Sequence, residues 1–259
     1  MTLPPEILDK ILKRISANKE QQTLMACALV ATWWTGPSQR RLFSSVEVRQ
    51  RNFELWMNGV VFSGSKAHLL KHVRSLSHSR GPSIRGVKYR MSELLRDSGE
   101  YLSALLNLHS LTLHNIRVER IGKEGLHTCF SAFRESLTSL SLVSPTMSVS
   151  AFVALVDFFP NMVTLQLHAF VPEADEGPVP SLSRPLRGKV YLRHIAGRSC
   201  LELLNRFSKL DLEYEELVID FALSSFTRAA FLESALRVSS STVKFLRLTA
   251  DIDYEPDRE

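Results

Sequence analysis

Residues 137–142 read LTSLSL, and residues 162–167 read MVTLQL. In each, an apolar residue is followed three and five residues later by leucine. The same form recurs as LHSLTL, YEELVI and VKFLRL at residues 108–113, 214–219 and 243–248, with a weaker copy at Val190 and Leu192. Alternation of leucine with another residue is typical of a β-strand that buries one face. These segments therefore predict six strands.

The six predicted strands are regularly spaced. Their first anchor positions are residues 111, 140, 165, 190, 217 and 246, separated by 29, 25, 25, 27 and 29 residues. Helical patterns lie between several of them, at residues 126–133, 151–159, 201–207 and 226–238. A strand and a helix in each unit predict an α/β fold of stacked units, because each unit leaves an apolar face that only its neighbour can cover. The alternative is an ordinary α/β sheet whose strands contain Leu-x-Leu by chance.

The repeat resembles that of leucine-rich-repeat proteins. The resemblance implies an irregular leucine-rich-repeat solenoid over residues 44–259, and the sequence predicts no C-terminal cap for it. One feature departs from the family, which usually carries Asn or Cys three residues after the second leucine. Those positions hold Ile116, Pro145, Phe170, Ala222 and Asp251. The repeat subclass and the curvature of the solenoid therefore stay open.

The N-terminal residues 3–43 read LPPEILDKILKRISANKEQQTLMACALVATWWTGPSQRRLF. Pro4 and Pro5 suit the first turn of a helix, and the apolar residues that follow recur at helical spacing. Residues 23–34 predict a second helix, which we expect to end at Gly36-Pro37, and residues 38–43 a last short turn. Three such helices cannot bury all of their apolar residues by themselves. We therefore expect this segment to contact another surface.

The same residues resemble the F-box. The family pattern Leu-Pro-x-Glu-hydrophobic occurs at residues 3–7, and its closing Val-x-x-x-Trp occurs as Val30 and Trp34. The flanking LVATWW and RRLFSSVEV are similar to F-box proteins of mushroom-forming fungi. The resemblance implies that residues 1–43 dock on the Skp-type adaptor of a cullin–RING ubiquitin ligase. The contact residues that it implies are Leu3, Pro4, Glu6, Ile7, Ile11, Leu24, Val30 and Trp34, with Trp34 as the main aromatic anchor.

The expected function is that of a substrate-recognition subunit, in which the repeats hold a target protein for ubiquitin transfer. The alternative is a leucine-rich-repeat interaction scaffold without a ligase, whose N-terminal helices only cap the first repeat. We expect no enzyme and no cofactor. The Ser-x-x-Lys matches at Ser16 and Ser63 lack the companion elements of that catalytic pattern, and His68 and His72 lack a third metal ligand nearby.

Composition is that of an ordinary globular protein, with 44% hydrophobic and 23% charged residues among 259. Cys27, Cys129 and Cys200 form no CxxC pair. Their sparse, odd number, the absence of a signal-peptide pattern in the first residues and the shortness of the longest apolar run favour a cytoplasmic or nuclear protein without a membrane anchor.

Two stretches contain no Asp or Glu, residues 55–92 and residues 177–201, although both are rich in Lys and Arg. They predict either a solvated face or a contact surface for an acidic or phosphorylated target protein. A nucleic-acid partner ranks third, because aromatic residues are scarce between the basic ones. Alternation along the strands places the target contacts on the outward face. The residues that we predict there are Gln166, Lys189, Tyr191 and Arg193.

Overall fold

A computed structural model of the chain describes residues 4–15, 20–49, 56, 67–79, 102, 104–118, 121–173, 182–183, 186–196, 212–222 and 243–251. It shows a mixed α/β fold in which three N-terminal helices precede a parallel sheet. The predicted helices at 201–207 and 226–238 lie outside these residues. Apart from Trp56 and Ser79, so do two further segments: a helix that the sequence predicts after Asn52, through residues 53–60, and a loop that it predicts at residues 79–90, which are rich in Gly, Pro and Arg.

The N-terminal helices are α1 (Pro5–Arg14), α2 (Gln21–Val30) and α3 (Thr32–Leu42). The expected helix end at Gly36-Pro37 is wrong, because α3 continues through both residues. Gly36 has no Cβ to clash with the ring of the proline that follows it, which makes this position tolerable. The break lies instead at Ala31, whose backbone is extended (φ −160°, ψ 155°). The Thr35 hydroxyl donates to the Ala28 carbonyl oxygen at 2.9 Å across this break.

These helices share a small core of their own. Leu8 and Leu12 of α1 pack with Leu24 of α2, and all three side chains are at most 1% exposed. Partly buried residues surround them, namely Ile15, Cys27, Trp33, Trp34 and Leu42. The next residue, Phe43, packs instead against the large core beneath the sheet. The chain therefore changes cores between Leu42 and Phe43, and the division into two domains after residue 43 stays a prediction.

Eight parallel strands of the described residues form one sheet, and their order follows the chain. The strands are β1 (Ser45–Arg49), β2 (Ser75–Ser79), β3 (Ser110–His114), β4 (Ser139–Val143), β6 (Thr164–His168), β8 (Leu186–Ala196), β9 (Leu212–Ala222) and β10 (Phe245–Asp251). Two further strands, β5 (Thr146–Met147) and β7 (Val171–Pro172), pair with each other. Helix α4 (Gly122–Phe130) connects β3 to β4, and α5 (Val149–Phe158) connects β5 to β6.

The register confirms the predicted alignment of anchors. Across β3, β4, β6, β8, β9 and β10, the aligned residues are Leu111, Leu140, Leu165, Val190, Leu217 and Leu246. The second aligned row is Leu113, Leu142, Leu167, Leu192, Ile219 and Leu248. All but the two leucines of β10 are buried. Both rows continue into β2 as Leu76 and His78, so a histidine occupies a leucine position.

A second periodic feature lies just after the strands. Asn115, Ser144, Ala169 and His194 have φ between 49° and 54°, in the left-handed region, and are 29, 25 and 25 residues apart. The backbone N–H groups of the first three donate to carbonyl oxygens of the next strand at 2.7 to 2.8 Å. The residues that follow three of them are buried and apolar: Ile116, Pro145 and Phe170. Apolar packing therefore occupies the positions where the family usually has asparagine.

Strands β8 and β9 are the longest and are irregular. The register shifts between Gly188 and Lys189 and again between Arg193 and Ile195. Gly188 has φ +95°, and a Cβ at this position would lie 2.1 Å from the Val163 carbonyl oxygen. Only glycine fits so close to a neighbouring backbone. The Pro- and Gly-rich sequence of residues 171–187 predicts a loop, but β7 occupies the first two of these residues and β8 begins at Leu186.

Candidate interaction surfaces

Helices α1 and α2 leave several large apolar side chains in contact with solvent. We call Ile7, Ile11, Met25, Leu29 and Val30 the apolar group; its members are between 40% and 87% exposed. On α1, Ile7 and Ile11 directly precede the buried Leu8 and Leu12, so they lie about 100° around the helix from the inward face. On α2, an almost wholly apolar sequence has only one face that the small core can cover. Exposed apolar side chains in such number are more typical of an interaction site than of other protein surface.

The predicted docking residues differ in their exposure to solvent. Leu3 lies outside the described residues, while Pro4 and Glu6 are exposed at the start of α1. Ile7, Ile11 and Val30 belong to the apolar group. Leu24, in contrast, is fully buried, and in this arrangement it holds α2 against α1.

Trp34, the predicted aromatic anchor, is the last of these residues. It is half-buried against the small core, with its ring centroid 5.5 Å from that of Trp33. The F-box pattern names neither Met25 nor Leu29, although both lie in the apolar run at residues 24–30. A helix buried on one side only cannot hide such a run.

The outward face of the sheet has two chemically different halves. The first half carries eight polar, uncharged side chains in two aligned rows over β2, β3, β4 and β6, which we call the hydroxyl half. They are Ser75, Ser110, Ser139 and Thr164 in one row, and Ser77, Thr112, Ser141 and Gln166 in the other. All eight are partly exposed. Within the described part of the chain, none of them makes a side-chain hydrogen bond.

The second half lies on β8 and β9, and we call it the ion-paired half. Lys189 Nζ lies 2.7 Å from Glu216 Oε2, and the Tyr191 hydroxyl donates to Glu216 Oε1 at 3.1 Å. Arg193 Nε lies 3.8 Å from Asp220 Oδ2, and the Arg193 guanidinium stands over the Tyr191 ring at 5.5 Å from its centroid. At the start of β8, Arg187 Nε donates to Glu213 Oε2 at 2.8 Å.

These contacts place an acidic side chain beside Lys189 and beside Arg193, while the predicted role of both residues in target binding stays a prediction. Hydrogen bonding between Lys189 and Glu216 raises the pKa of the amine and lowers that of the carboxyl group, so both stay charged at neutral pH. Of the four residues predicted to contact the target, Lys189, Tyr191 and Arg193 already have acidic neighbours on β9. Only Gln166 has no side-chain hydrogen bond within the described residues.

Three histidines on the strands, His78, His114 and His168, carry little charge at neutral pH. Burial lowers the pKa of His78, in the inward row, to about 4. Burial is also the main cause that lowers the pKa of His114 and His168 on the outward face. The rings of His168 and His194 lie 4.7 Å apart. The thiol of Cys129 is buried, which raises its pKa to about 11 and makes it a poor nucleophile.

Among the described residues, no group of three His, Cys, Asp or Glu side chains is arranged to hold a metal ion. None of the helices described is both long and apolar enough to cross a membrane. A scan against protein-family models found no match for the chain, and a search of curated proteins found none either.

Proposed function

We propose that the chain is the substrate-recognition subunit of a cullin–RING ubiquitin ligase. In this proposal residues 1–43 are an F-box that docks on a Skp-type adaptor, which in turn joins the chain to the cullin, in the cytoplasm or the nucleus. The sheet face binds the target protein. The chain performs no covalent chemistry, and it acts by holding the target near the transfer site.

The observation that carries the proposal is the apolar group. Five large apolar side chains stay exposed on two adjacent helices, while three leucines of the same helices are fully buried. Burial of an exposed side chain of this size stabilises a complex by about 1.5 to 3 kcal/mol. The F-box resemblance assigns three of the five, Ile7, Ile11 and Val30, to the adaptor contact.

We propose further that the sheet is a leucine-rich-repeat solenoid of an irregular kind. Three periodic features support this assignment: two aligned rows of inward aliphatic residues, strand order equal to chain order, and left-handed residues at matching positions after the strands. An ordinary α/β sheet does not need to have all three of these regularities at once. The outward face of such a solenoid is continuous and therefore suited to a protein target.

The adaptor contact can be tested with a Skp-type adaptor and the full chain in titration calorimetry. Met25→Ala with Leu29→Ala should weaken binding by about 2 kcal/mol or more, roughly thirtyfold, because hot-spot side chains dominate such contacts. The thermal melt should not change, since both residues are exposed. Ser141→Asp, on the sheet, is the control and should bind as wild type does. Undiminished binding by the double variant would exclude this docking surface.

A scaffold without a ligase remains the second candidate, and one contact favours it. The N-terminal unit adjoins the sheet, because α3 contacts the short 3-10 helix Ala67–His72, which leads into β2. Helices placed there can cap the first strand. Failure of the wild-type chain to bind adaptor would favour this role over the ligase.

A further inference from the structure

We infer that the hydroxyl half, and not the ion-paired half, contacts the target, and that it takes an extended, uncharged polar segment of polypeptide. The inference rests on the proposed target-binding role of the sheet face. It specifies which strands make the contact and what chemistry they select. Rows of Ser, Thr and Gln on four strands form the surface, and the partner segment is rich in Asn, Gln, Ser and Thr.

The first reason is hydrogen-bonding capacity. Each hydroxyl can donate and accept, and none of the eight side chains uses that capacity on another side chain or on backbone within the described residues. In the ion-paired half the polar groups are engaged with each other, as Tyr191 and Lys189 are with Glu216. A partner that bound there would have to replace these contacts before it gained new ones.

The second reason is charge. No charged residue occurs in the two rows between β1 and β8. On the β1 side, Arg49 donates twice to Glu47, with both distances 2.8 Å, and on the β8 side Lys189 is paired with Glu216. A charged group laid on this surface would lose hydration without gaining a counter-charge. An uncharged partner is therefore the complementary one.

The third reason is shape. Serine and threonine are short, so the strand backbone forms a shallow floor about 14 Å wide over four strands, with the two rows about 7 Å apart. An extended polypeptide exposes regularly spaced N–H and C=O groups and fits such a floor. A neutral oligosaccharide is less suitable, because among the described residues no Phe, Tyr or Trp side chain stands in these two rows on β2 to β6.

The test uses the full chain and a library of random linear peptides displayed on phage. The library should yield uncharged peptides rich in Asn, Gln, Ser and Thr, whose affinity changes little between low and high salt. Ser110→Ala with Ser139→Ala should weaken the selected peptides about tenfold, since two hydrogen bonds are lost. Ser141→Asp should weaken them further by adding a charge.

Two controls bracket this result. Ser131→Ala removes an exposed hydroxyl away from the sheet face, and Arg193→Gln alters the ion-paired half; both should bind the selected peptides as wild type does. Selection of acidic peptides that dissociate in high salt, or binding that Arg193→Gln abolishes, would overturn the inference. Recovery of no peptide, or binding of neutral oligosaccharides in place of peptides, would overturn it too. None of these measurements uses the adaptor, so the ligase proposal stands or fails separately.

Discussion

The N-terminal helices and the sheet use leucine in opposite ways. In the sheet, leucines at matching positions of neighbouring strands cover one another, so nearly every one is buried. In the helices, only Leu8, Leu12 and Leu24 are fully covered, and Leu29 is 87% exposed. The difference shows that apolar content alone does not define a core. In a stack of repeated units each unit covers the apolar face of its neighbour, whereas a short helical unit leaves apolar side chains exposed that a partner can bury.

The largest effect should come from placing a charge in the aligned rows. Leu140→Asp or Leu165→Asp puts a carboxylate at a position that is at most 1% exposed, and we expect loss of cooperative unfolding. Ser141→Asp and Gln166→Asp, one residue further along the same strands, should be tolerated because their side chains face outward. Thermal melts followed by circular dichroism compare the four. Equal destabilisation of all four would contradict the inward and outward assignment.

A buried and an exposed leucine of α2 give the next test. Leu24→Ala should destabilise the helical unit by about 2 to 5 kcal/mol, because it leaves a cavity in a core of three residues. Leu29→Ala should change unfolding free energy by less than about 0.5 kcal/mol, as is usual for surface positions. Hydrogen exchange of the α1 and α2 amides measures both. Equal protection in the two variants would mean that Leu24 is not the centre of this core.

The histidine in a leucine row should make the sheet sensitive to acid. The pKa of His78 falls from 6.5 to about 4 on folding, so between these values the unfolded chain binds more protons than the folded chain. Stability is therefore lost as the pH falls below 6.5, by up to about 3 kcal/mol from this residue. His78→Leu should reduce that loss. Urea unfolding of wild type and His78→Leu at neutral pH and at about pH 4 tests this prediction. An equal loss of unfolding free energy in both proteins would contradict it.

The smallest effect concerns helix capping. None of α1, α2 and α3 has a side-chain N-cap bond, whereas the Ser148 hydroxyl accepts from the Ala151 N–H at 3.1 Å at the start of α5. Ser148→Ala should therefore cost about 1 kcal/mol and lower the melting temperature of the sheet unit. An unchanged melting temperature would show that packing of α5 alone fixes its start.

Sequence periodicity predicted the register of the sheet because side chains in a strand alternate strictly, and a shift by one residue would expose every leucine. Ile7 and Val30, which the F-box resemblance assigns to a partner contact, are exposed, and that contact stays a prediction. Sequence periodicity could not predict the pairing of Lys189 with Glu216 or of Arg193 with Asp220. These partners are 27 residues apart in sequence and become neighbours only when β8 lies against β9. A stretch without acids is thus no guide to local charge in a parallel sheet.

Two further differences have local causes. The break between α2 and α3 at Ala31 contains no Gly or Pro, so the sequence gives no local signal for it. The Gly36-Pro37 pair, which is typical of a helix end, lies inside α3. The exposure of Met25 and Leu29 depends on how little of α2 the small core covers, which only the packed helices reveal.

The order of strands along the sheet also sets distances. Strand β1 follows the helical unit, and each later strand lies about 4.8 Å further across the sheet. The later a strand occurs in the sequence, the further it lies from that unit. A segment held across β2 to β6 would begin one strand away from β1 and end about 20 Å from it. If the target bound one strand further along the sheet, it would lie about 4.8 Å further from the helical unit. If the chain is a ligase subunit as proposed, the sheet would act as a spacer, and the strand that holds the target would set which of its lysines reach the transfer site.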